Sequence, residues 1–476
     1  MRLKNSLLTT IILSLFSAGF LIPSCSEKVK DGLIIITVAK GHDGHLNYVT
    51  GDSWRYIPQT RLIAVDTEDP AKRPVYLSEA FYSASSPEVS YDGKKIIFSA
   101  QKNENDPWQI WEMNLGNKKY KQVTEASENS VDPAYLPGER IVFSRSLKND
   151  SLKAGHTLFT CNTDGTNMMR VTFNPHTYFA SSVLKDGRLI TISRQLYPIQ
   201  GKSSMMVLRP DGTKSELFYQ GAEGTTIFSK GWETDDGRIV FIENENNTKN
   251  GGAVVSVSYN RPLHSRINLS SSIAGYFNSV ALFKQGKLLV SYKSDNDRYS
   301  LYEFDPEKQA IGNLVYKDTD FDVIDAVCVK VHHRPKKLPS EVDPAVKTGL
   351  LLCQNINLTG MQSPEGEFLN PAACKIEING VDASLGVVDV EKDGSFYLKV
   401  EADKPFTIKT LDKEGKVING PGSWIWVRPN ERRGCIGCHE DNEMVPANRF
   451  SLAVKSNPVA VPVHINVIKE KEVELE

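Results

Sequence analysis

The sequence predicts a mostly β protein in which a β-propeller of about six blades precedes a small β-sandwich domain. The first observation is compositional: Gly (33), Pro (24) and Tyr (17) recur beside short Val, Ile and Phe runs, a mixture typical of short strands and tight turns. The second is a turn motif that recurs at nearly constant spacing through the middle of the chain. The third is a change of pattern near residue 347, which indicates a second domain within the 476 residues.

The repeated motif is a turn with Gly followed by Lys, Glu or Arg and then by an apolar strand. The turn glycines are Gly93, Gly138, Gly187, Gly237 and Gly286, spaced 45, 49, 50 and 49 residues apart. Asp-Gly between two strands favours a tight hairpin, since Gly adopts positive φ at little cost. A period of 40–50 residues is typical of propeller blades, whereas an array of β-sandwiches would rarely keep so even a spacing. The propeller is assigned to residues 43–333, with residues 61–65 in a further blade and residues 323–327 closing the ring.

The segment that follows the propeller is basic and contains Pro335 and Pro339, so residues 334–346 are predicted to form an extended linker. His332 and His333 are interpreted as solvated linker residues rather than metal ligands. Residues 347–476 contain several strand-length apolar runs and are assigned to the β-sandwich. In residues 423–427, alternation places both Trp side chains on one face of the strand.

The N-terminus carries a basic start, an apolar stretch from Leu7 to Ile22, and then Cys25. This pattern predicts a lipoprotein signal peptide over residues 1–24, lipidation of Cys25 and a tether over residues 25–42. The expected location is extracytoplasmic, on a membrane through the N-terminal lipid, facing the periplasm or the cell surface. Lys plus Arg (56) nearly balances Asp plus Glu (58), so no nucleic-acid partner is expected.

Export also favours disulfide bonds. Cys353 and Cys374 lie close in sequence, each beside a strand-like run, and are predicted to form one. Cys161 and Cys328 lie inside apolar strand patterns, which is typical of buried free thiols.

The segment Cys435-Ile436-Gly437-Cys438-His439 is the attachment signature of c-type haem. Its two thiols bond to the porphyrin, and the adjacent His is expected to bind the iron, so one covalent haem c is predicted. The alternatives are a redox dithiol or a zinc site. Zinc would require a fourth ligand, for which Glu440, Asp441 or His464 are candidates.

Other residues near the motif are also compatible with a haem pocket, but they are weaker signals than the motif itself. Arg432 and Arg433 could pair with the propionates, although exposed loop arginines are more common. Trp426, together with Trp424, could cover the porphyrin, or both could belong to the sandwich core. His464 lies at a suitable distance in sequence to be the second axial ligand. The alternative is that the second axial position is open or holds water.

Two sets of segments carry a resemblance to known families. Residues 86–93 and 106–113 resemble the TolB-like propeller repeat. Residues 89–96 and 108–113, together with residues 424–431, 433–440 and 446–449, resemble the hydrazine synthase alpha-subunit family over nearly all of the mature chain. The resemblance implies a haem-bearing β domain after a TolB-like propeller. The hydrazine-forming subunit carries a second c-haem, whereas this sequence has one such motif, so hydrazine synthesis is not implied. In such sites the motif His can also be diverted to another metal.

Three functional hypotheses follow. The first is a lipid-anchored mono-haem cytochrome that transfers electrons to a redox partner protein. The second is a haem enzyme acting on a small nitrogen or oxygen species between the propeller and the haem domain. The third is a propeller binding protein with a structural zinc or with no metal.

Overall fold

The computed structural model describes residues 33–40, 56–69, 72–147, 155–227, 229–245, 251–295, 297–360, 372–437 and 448–463. These residues form two β domains. The first is a ring of six sheets, and the second is a pair of packed sheets.

The ring consists of antiparallel sheets that follow one another along the chain. Blade 1 begins with β1 (Leu33–Lys40), β2 (Arg61–Asp66) and β3 (Val75–Tyr76). Blade 2 consists of β4 (Ser83–Val89), β5 (Lys95–Gln101), β6 (Gln109–Asn114) and β7 (Tyr120–Gln122). Blade 3 consists of β8 (Ser130–Leu136), β9 (Arg140–Ser146), β10 (His156–Asn162) and β11 (Met169–Arg170). Blade 4 consists of β12 (His176–Val183), β13 (Leu189–Gln195), β14 (Ser203–Leu208) and β15 (Glu216–Tyr219).

Blades 5 and 6 complete the series. Blade 5 consists of β16 (Thr225–Ile227), β17 (Trp232–Glu233), β18 (Arg238–Glu245), β19 (Ala253–Ser258) and β20 (Ile267–Asn268). Blade 6 consists of β21 (Tyr276–Leu282), β22 (Leu288–Lys293), β23 (Ser300–Asp305) and β24 (Ala310–Tyr316). The predicted six-bladed propeller is confirmed.

The ring closes by pairing the two ends of the propeller sequence. β25 (Phe321–Cys328) lies beside β1 in blade 1, with Ile35 opposite Val327. β1 is apolar over most of its length and buried at Ile34, Ile35 and Ile36. The predicted closing strand at 323–327 is therefore confirmed. Burying β1 between β2 and β25 removes the exposed sheet edge that an open ring would leave.

The position of β1 corrects one predicted boundary. Residues 33–40 were predicted to lie in the tether of residues 25–42, before a propeller starting at residue 43. Because β1 pairs with both β2 and β25, the propeller already includes these residues.

The predicted turn glycines have the conformation that a tight hairpin requires. Gly93, Gly138, Gly187, Gly237 and Gly286 all have positive φ, between 69° and 90°. Each joins two successive antiparallel strands of its blade, which explains the even spacing of the motif.

The segment after β25 lies against the turns of successive blades. The carbonyl of Lys330 is near Gly93, and that of Lys336 is near Gly187. Farther along, Arg209 forms an ion pair with Glu341 at 3.5 Å. His332 is half-buried, with its ring centroid 5.2 Å from that of Tyr91. This packing corrects its interpretation as a solvated residue, whereas His333 is exposed as expected.

The second domain is a β-sandwich of two four-stranded sheets. The first sheet has the order β32–β26–β29–β33, and the second has the order β28–β27–β30–β31. The strands are β26 (Thr348–Cys353), β27 (Lys375–Asn379), β28 (Ser384–Asp389), β29 (Phe396–Glu401), β30 (Thr407–Leu411), β31 (Val417–Asn419), β32 (Arg432–Cys435) and β33 (Val459–Val461). Leu351, Leu398, Ile376 and Ile408 are among the residues that form the core between the sheets. A short 3-10 helix, Leu452–Lys455, precedes β33. The sandwich fold is as predicted.

Candidate cofactor-attachment site

The first cysteine of the Cys-x-x-Cys-His motif ends an edge strand of the sandwich. β32 pairs in parallel with β26, and Cys435 lies opposite Cys353. The pairing continues past the strand end, because the Gln354 amide donates to the Cys435 carbonyl at 3.0 Å. The Asn355 amide likewise donates to the Ile436 carbonyl at 3.1 Å. The start of the motif is therefore held by regular backbone hydrogen bonds.

Gly437 and Gly434 differ sharply in the space around them. A Cβ atom at Gly437 would lie 2.1 Å from the Leu358 carbonyl oxygen, so a side chain here requires the backbone to move. A Cβ atom at Gly434 would meet no described atom within 4 Å. The motif thus packs tightly against Leu358 at Gly437, and no described residue packs against Gly434.

The segment that follows residue 447 is held against the sheet that contains β26 and β29. The Arg449 guanidinium donates to the carbonyls of Gln354 and Asp393, both at 2.9 Å. The Leu452 amide donates to the Asp393 carboxylate at 2.9 Å. Burial raises the pKa of Asp393, but hydrogen bonds from Ser395 and Leu452 outweigh this and lower it. A charged carboxylate therefore helps to anchor this segment.

The two arginines of the predicted pocket have different surroundings. Arg432 is exposed. Arg433 donates to the carbonyl of Trp426 at 3.1 Å and to the carbonyl of Ser215 in blade 4. Because its guanidinium bridges the two domains, Arg433 belongs to their interface in the structure. Of the two arginines, Arg432 is the one whose side chain is exposed beside the motif.

The two tryptophans share one face of residues 423–427, as predicted, but that face contacts the propeller. Trp426 is 2% exposed and packs among propeller side chains that include Leu158, Tyr178 and Leu208. The Trp424 indole donates to the Tyr197 carbonyl at 2.8 Å. Trp426 therefore belongs neither to the sandwich core nor to an open pocket, which corrects its predicted contact with a porphyrin face.

Arg428 lies at the centre of a buried ionic network between the domains. Its guanidinium donates to Asp403 at 2.6 Å and to the carbonyl of Asp211 at 2.9 Å, and lies 4.5 Å from the Phe173 ring centroid. Glu431 is 1% exposed and accepts hydrogen bonds from the amides of Arg428 and Lys214, both at 2.7 Å. Sequence reasoning missed these roles.

Burial affects both carboxyl groups of this network. Burial raises the pKa of Glu431, while the amides that donate to it and the nearby Arg433 partly oppose the rise. Burial also raises the pKa of Asp403, opposed by Arg428. The polar contacts therefore only partly compensate for removing these charges from water.

The other cysteines are separated by the fold. Cys374 precedes β27 in the second sheet, whereas Cys353 lies on β26 in the first sheet. Cys353 faces the core cluster, of which Cys374 is not a member, and the bond between them stays a prediction. Cys161 is buried in blade 3, where burial raises the pKa of its thiol to about 11.

Several predicted site residues lie outside the described residues: Cys25, Cys438, His439 and His464, together with the zinc-ligand candidates Glu440 and Asp441. Among the residues that are described, no group of three or more His, Cys, Asp or Glu side chains could hold a metal ion. Within the same ranges, no helix has the length and hydrophobicity that a membrane span requires.

A separate cavity lies in the propeller, lined by the first strands of blades 2, 3 and 4 and by parts of blades 5, 6 and 1. Its polar lining includes Asp132, Lys230 and Asp325. The Lys230 ammonium pairs with Glu88 and lies 4.7 Å from the Trp232 ring centroid. All of its lining residues belong to the propeller, so this cavity is distinct from the motif on the sandwich.

These features define a class of protein: a six-bladed propeller fused to a β-sandwich whose sequence contains a Cys-x-x-Cys-His segment. The family model for the hydrazine synthase alpha subunit middle domain matches residues 355–440. The predicted resemblance to the hydrazine synthase alpha-subunit family is thereby confirmed, and two further comparisons agree with it.

Hydrazine synthase subunit alpha of Kuenenia stuttgartiensis is 21% identical over 531 residues, covering 84% of this chain and 64% of the relative. This chain thus spans somewhat less than two thirds of that relative. The solved structure of Kuenenia stuttgartiensis hydrazine synthase matches with a TM-score of 0.77 at 19% identity, over 90% of this chain and 72% of that one. TolB from Acinetobacter baumannii matches with a TM-score of 0.45 at 14% identity, over 63% and 66% of the two chains.

Proposed function

We propose that this protein is an exported, lipid-anchored c-type cytochrome that carries one haem on Cys435 and Cys438 and transfers electrons in the cell envelope. His439 would bind the haem iron, and His464 is a candidate for a second iron ligand. Cys25 is the proposed lipid attachment point. Incorporation of labelled palmitate that is lost in Cys25→Ala tests the anchor.

The observation that supports haem attachment most strongly is the extent of the family match. The matched segment runs through residue 440 and so includes the whole motif. The domain that matches is also the domain on which the structure places Cys435.

The described residues fit a covalent cofactor at this position. Cys435 ends an edge strand that has a partner on one side only among the described strands. A Cβ atom at Gly434 would meet no described atom within 4 Å, whereas the Leu358 carbonyl oxygen lies against Gly437. Thiols spaced two residues apart and followed by His are the donor set of c-type haem. When bound, haem supplies one-electron redox chemistry.

The chain's own contribution is to hold the attachment segment in place. The β26–β32 pairing fixes Cys435, and Arg449 and Asp393 fix the chain that returns after the motif. Trp426, Arg428 and Glu431 hold the sandwich against blades 3 and 4. The propeller is therefore proposed to orient the cofactor domain toward a partner protein.

The test is to produce the mature chain together with haem-maturation proteins and to measure its absorption spectrum and intact mass. Cys435→Ser and Cys438→Ser are expected to abolish stoichiometric covalent loading, since each removes a thioether. Cys161→Ser is the matched control, because Cys161 lies in the propeller, and it should keep full loading. Equal loading of all variants would contradict the proposal.

A second candidate is a haem enzyme that acts on a small nitrogen or oxygen species. Its support is the name of the relative, which is a subunit of a synthase. That name also supports the proposal of a protein partner. A six-coordinate, low-spin ferrous spectrum that carbon monoxide leaves unchanged would favour electron transfer. A high-spin ferrous form that binds carbon monoxide would favour the enzyme.

A further inference from the structure

We infer that Cys353 is the disulfide partner of Cys435, and that a bond between them occupies the first thiol of the motif until it is reduced. The effect of this bond on haem attachment rests on the proposed function. The existence of the bond does not depend on haem. Cys353 is not part of the motif, and the sequence had paired it with Cys374.

The first support is strand register. Cys353 and Cys435 are direct neighbours on the parallel pair β26 and β32. Neighbouring strands lie about 4.8 Å apart, which falls within the Cα separation of roughly 4.4–6.8 Å that disulfides require.

The second support is the direction of the two side chains. Cys353 is 2% exposed and belongs to the core cluster of the sandwich, and Cys435 packs against that same cluster. Both thiols therefore face the same side of the sheet, as neighbours in register should.

The third support is the fixed backbone on both sides of the pair. The Leu350 amide donates to the Glu431 carbonyl at 2.8 Å, and the Gln354 amide donates to the Cys435 carbonyl at 3.0 Å. These hydrogen bonds bracket the two cysteines, so the paired strands keep the two residues adjacent.

The other described cysteines are poorer partners for Cys435. Cys161 is buried in the propeller, and Cys374 lies on the second sheet, outside the core cluster. Burial also raises the pKa of the Cys161 thiol to about 11, which suppresses its reactive thiolate form.

The chemistry is thiol–disulfide exchange with a disulfide oxidant, such as oxidised glutathione or an exported oxidoreductase. The thiols of Cys353 and Cys435 lose two protons and two electrons and form one S–S bond. The oxidant's S–S bond breaks, accepts those electrons and protons, and leaves as two thiols. A dithiol reductant reverses the reaction. Because a thioether to haem requires a free thiol at Cys435, the bond must be reduced before haem can attach.

The test maps disulfides in the full mature chain, exported by a host without haem-maturation proteins and purified without reductant. Free thiols are alkylated, and the protein is digested with trypsin and with a protease that cleaves after Glu. The second protease is needed because no Lys or Arg separates Cys353 from Cys374, whereas Glu365 and Glu367 do. Fragment spectra distinguish Cys435 from Cys438.

The expected result is a peptide pair joined through Cys353 and Cys435 in most molecules, with Cys374 alkylated. Cys374→Ser, the matched control, should keep the pair, and so should Cys438→Ser. Cys353→Ser should leave Cys435 free of any bond to Cys374. Alkylation of Cys353 in most wild-type molecules would overturn the inference, as would a Cys353–Cys374 or Cys435–Cys438 bond. The wild-type map decides this without relying on any variant to fold.

A second measurement separates this inference from the proposed function. With haem-maturation proteins present but reductant limiting, Cys353→Ser should load at least twofold more haem than wild type. Linked peptides with no haem in any variant would refute the proposed function and leave the bond intact. Full haem loading with no linked peptide in the haem-free chain would refute the bond alone.

Discussion

The carboxyl group of Asp325 lies on β25 beside the propeller cavity. Its Oδ1 atom has no hydrogen-bond partner among the described residues. Burial raises the pKa of Asp325 to about 6, against the opposing influence of Thr37 and the Lys230 ammonium. At neutral pH the folded protein therefore holds a poorly compensated carboxylate at this position.

Asp325→Asn is expected to stabilise the protein at pH 7 by roughly 1 to 3 kcal/mol. Between pH 3.8, the ordinary pKa of Asp, and about pH 6, the folded chain keeps a proton that the unfolded chain loses. The contribution of Asp325 to the free energy of unfolding therefore falls as pH rises through this window and stays low above it. Denaturant unfolding at pH 4 and pH 7 measures the effect. A difference between variant and wild type that is the same at both pH values would contradict it.

The hairpin turn at Gly187 couples a propeller blade to the linker. Gly187 has a φ of 90°, and a Cβ atom there would lie 2.1 Å from the Lys336 carbonyl oxygen. The Lys336 amide also donates to the Lys185 carbonyl at 3.2 Å. Gly237 occupies the equivalent turn in blade 5, with a φ of 78°, and a Cβ atom there meets nothing within 4 Å.

Gly187→Ala and Gly237→Ala form a matched pair. Both should lose about 1 to 2 kcal/mol of stability, because Ala is strained at positive φ. Gly187→Ala should lose at least about 1 kcal/mol more, since its methyl group displaces the linker. It should also speed tryptic cleavage at Lys336 and Lys337. Chemical unfolding and limited proteolysis report the two effects, and equal behaviour of the two variants would show that the linker does not rest on this turn.

The two domains are joined by an interface that combines an apolar anchor with buried charges. Trp426 fills a space among the side chains of blades 3 and 4. Arg428 connects Asp403 of the sandwich to the Asp211 carbonyl of the propeller. Such a mixture fixes relative orientation, because the charged groups are satisfied in one arrangement only.

Arg428→Ala is expected to destabilise the protein by about 1 to 3 kcal/mol, because it leaves the half-buried Asp403 without its cationic partner and removes a buried side chain from the interface. The sandwich should then unfold separately from the propeller, so calorimetry should show two transitions in place of one. Arg432→Ala removes an exposed arginine from the same segment and should change stability by less than about 0.5 kcal/mol. Indistinguishable unfolding of the two variants would argue against the interface.

Much of this fold follows from local sequence. The glycine turns predicted the blades because each hairpin is specified by a few adjacent residues. β1 was assigned to the tether because its partner β25 lies at the far end of the propeller sequence. The alternation of Trp424 and Trp426 correctly predicted a shared face, but it could not show that the propeller covers it.

The candidate site was predictable only in part, for the same reason. The spacing of Cys435 and Cys438 is a local signal. The adjacency of Cys353 depends on a parallel pairing between strands that are distant in sequence. The ionic role of Arg428 likewise depends on a neighbour, Asp211, that belongs to the other domain.

Covalent attachment of haem is measured most directly by the intact mass of the mature chain made with haem-maturation proteins, under denaturing conditions that remove any loosely bound cofactor. We expect the polypeptide to gain the mass of one haem, with a Soret band that follows the same fraction. Both signals should fall far below one haem per chain in Cys435→Ser. A wild-type chain of unmodified mass and without a Soret band, produced beside a cytochrome that loads normally in the same cells, would contradict the assignment.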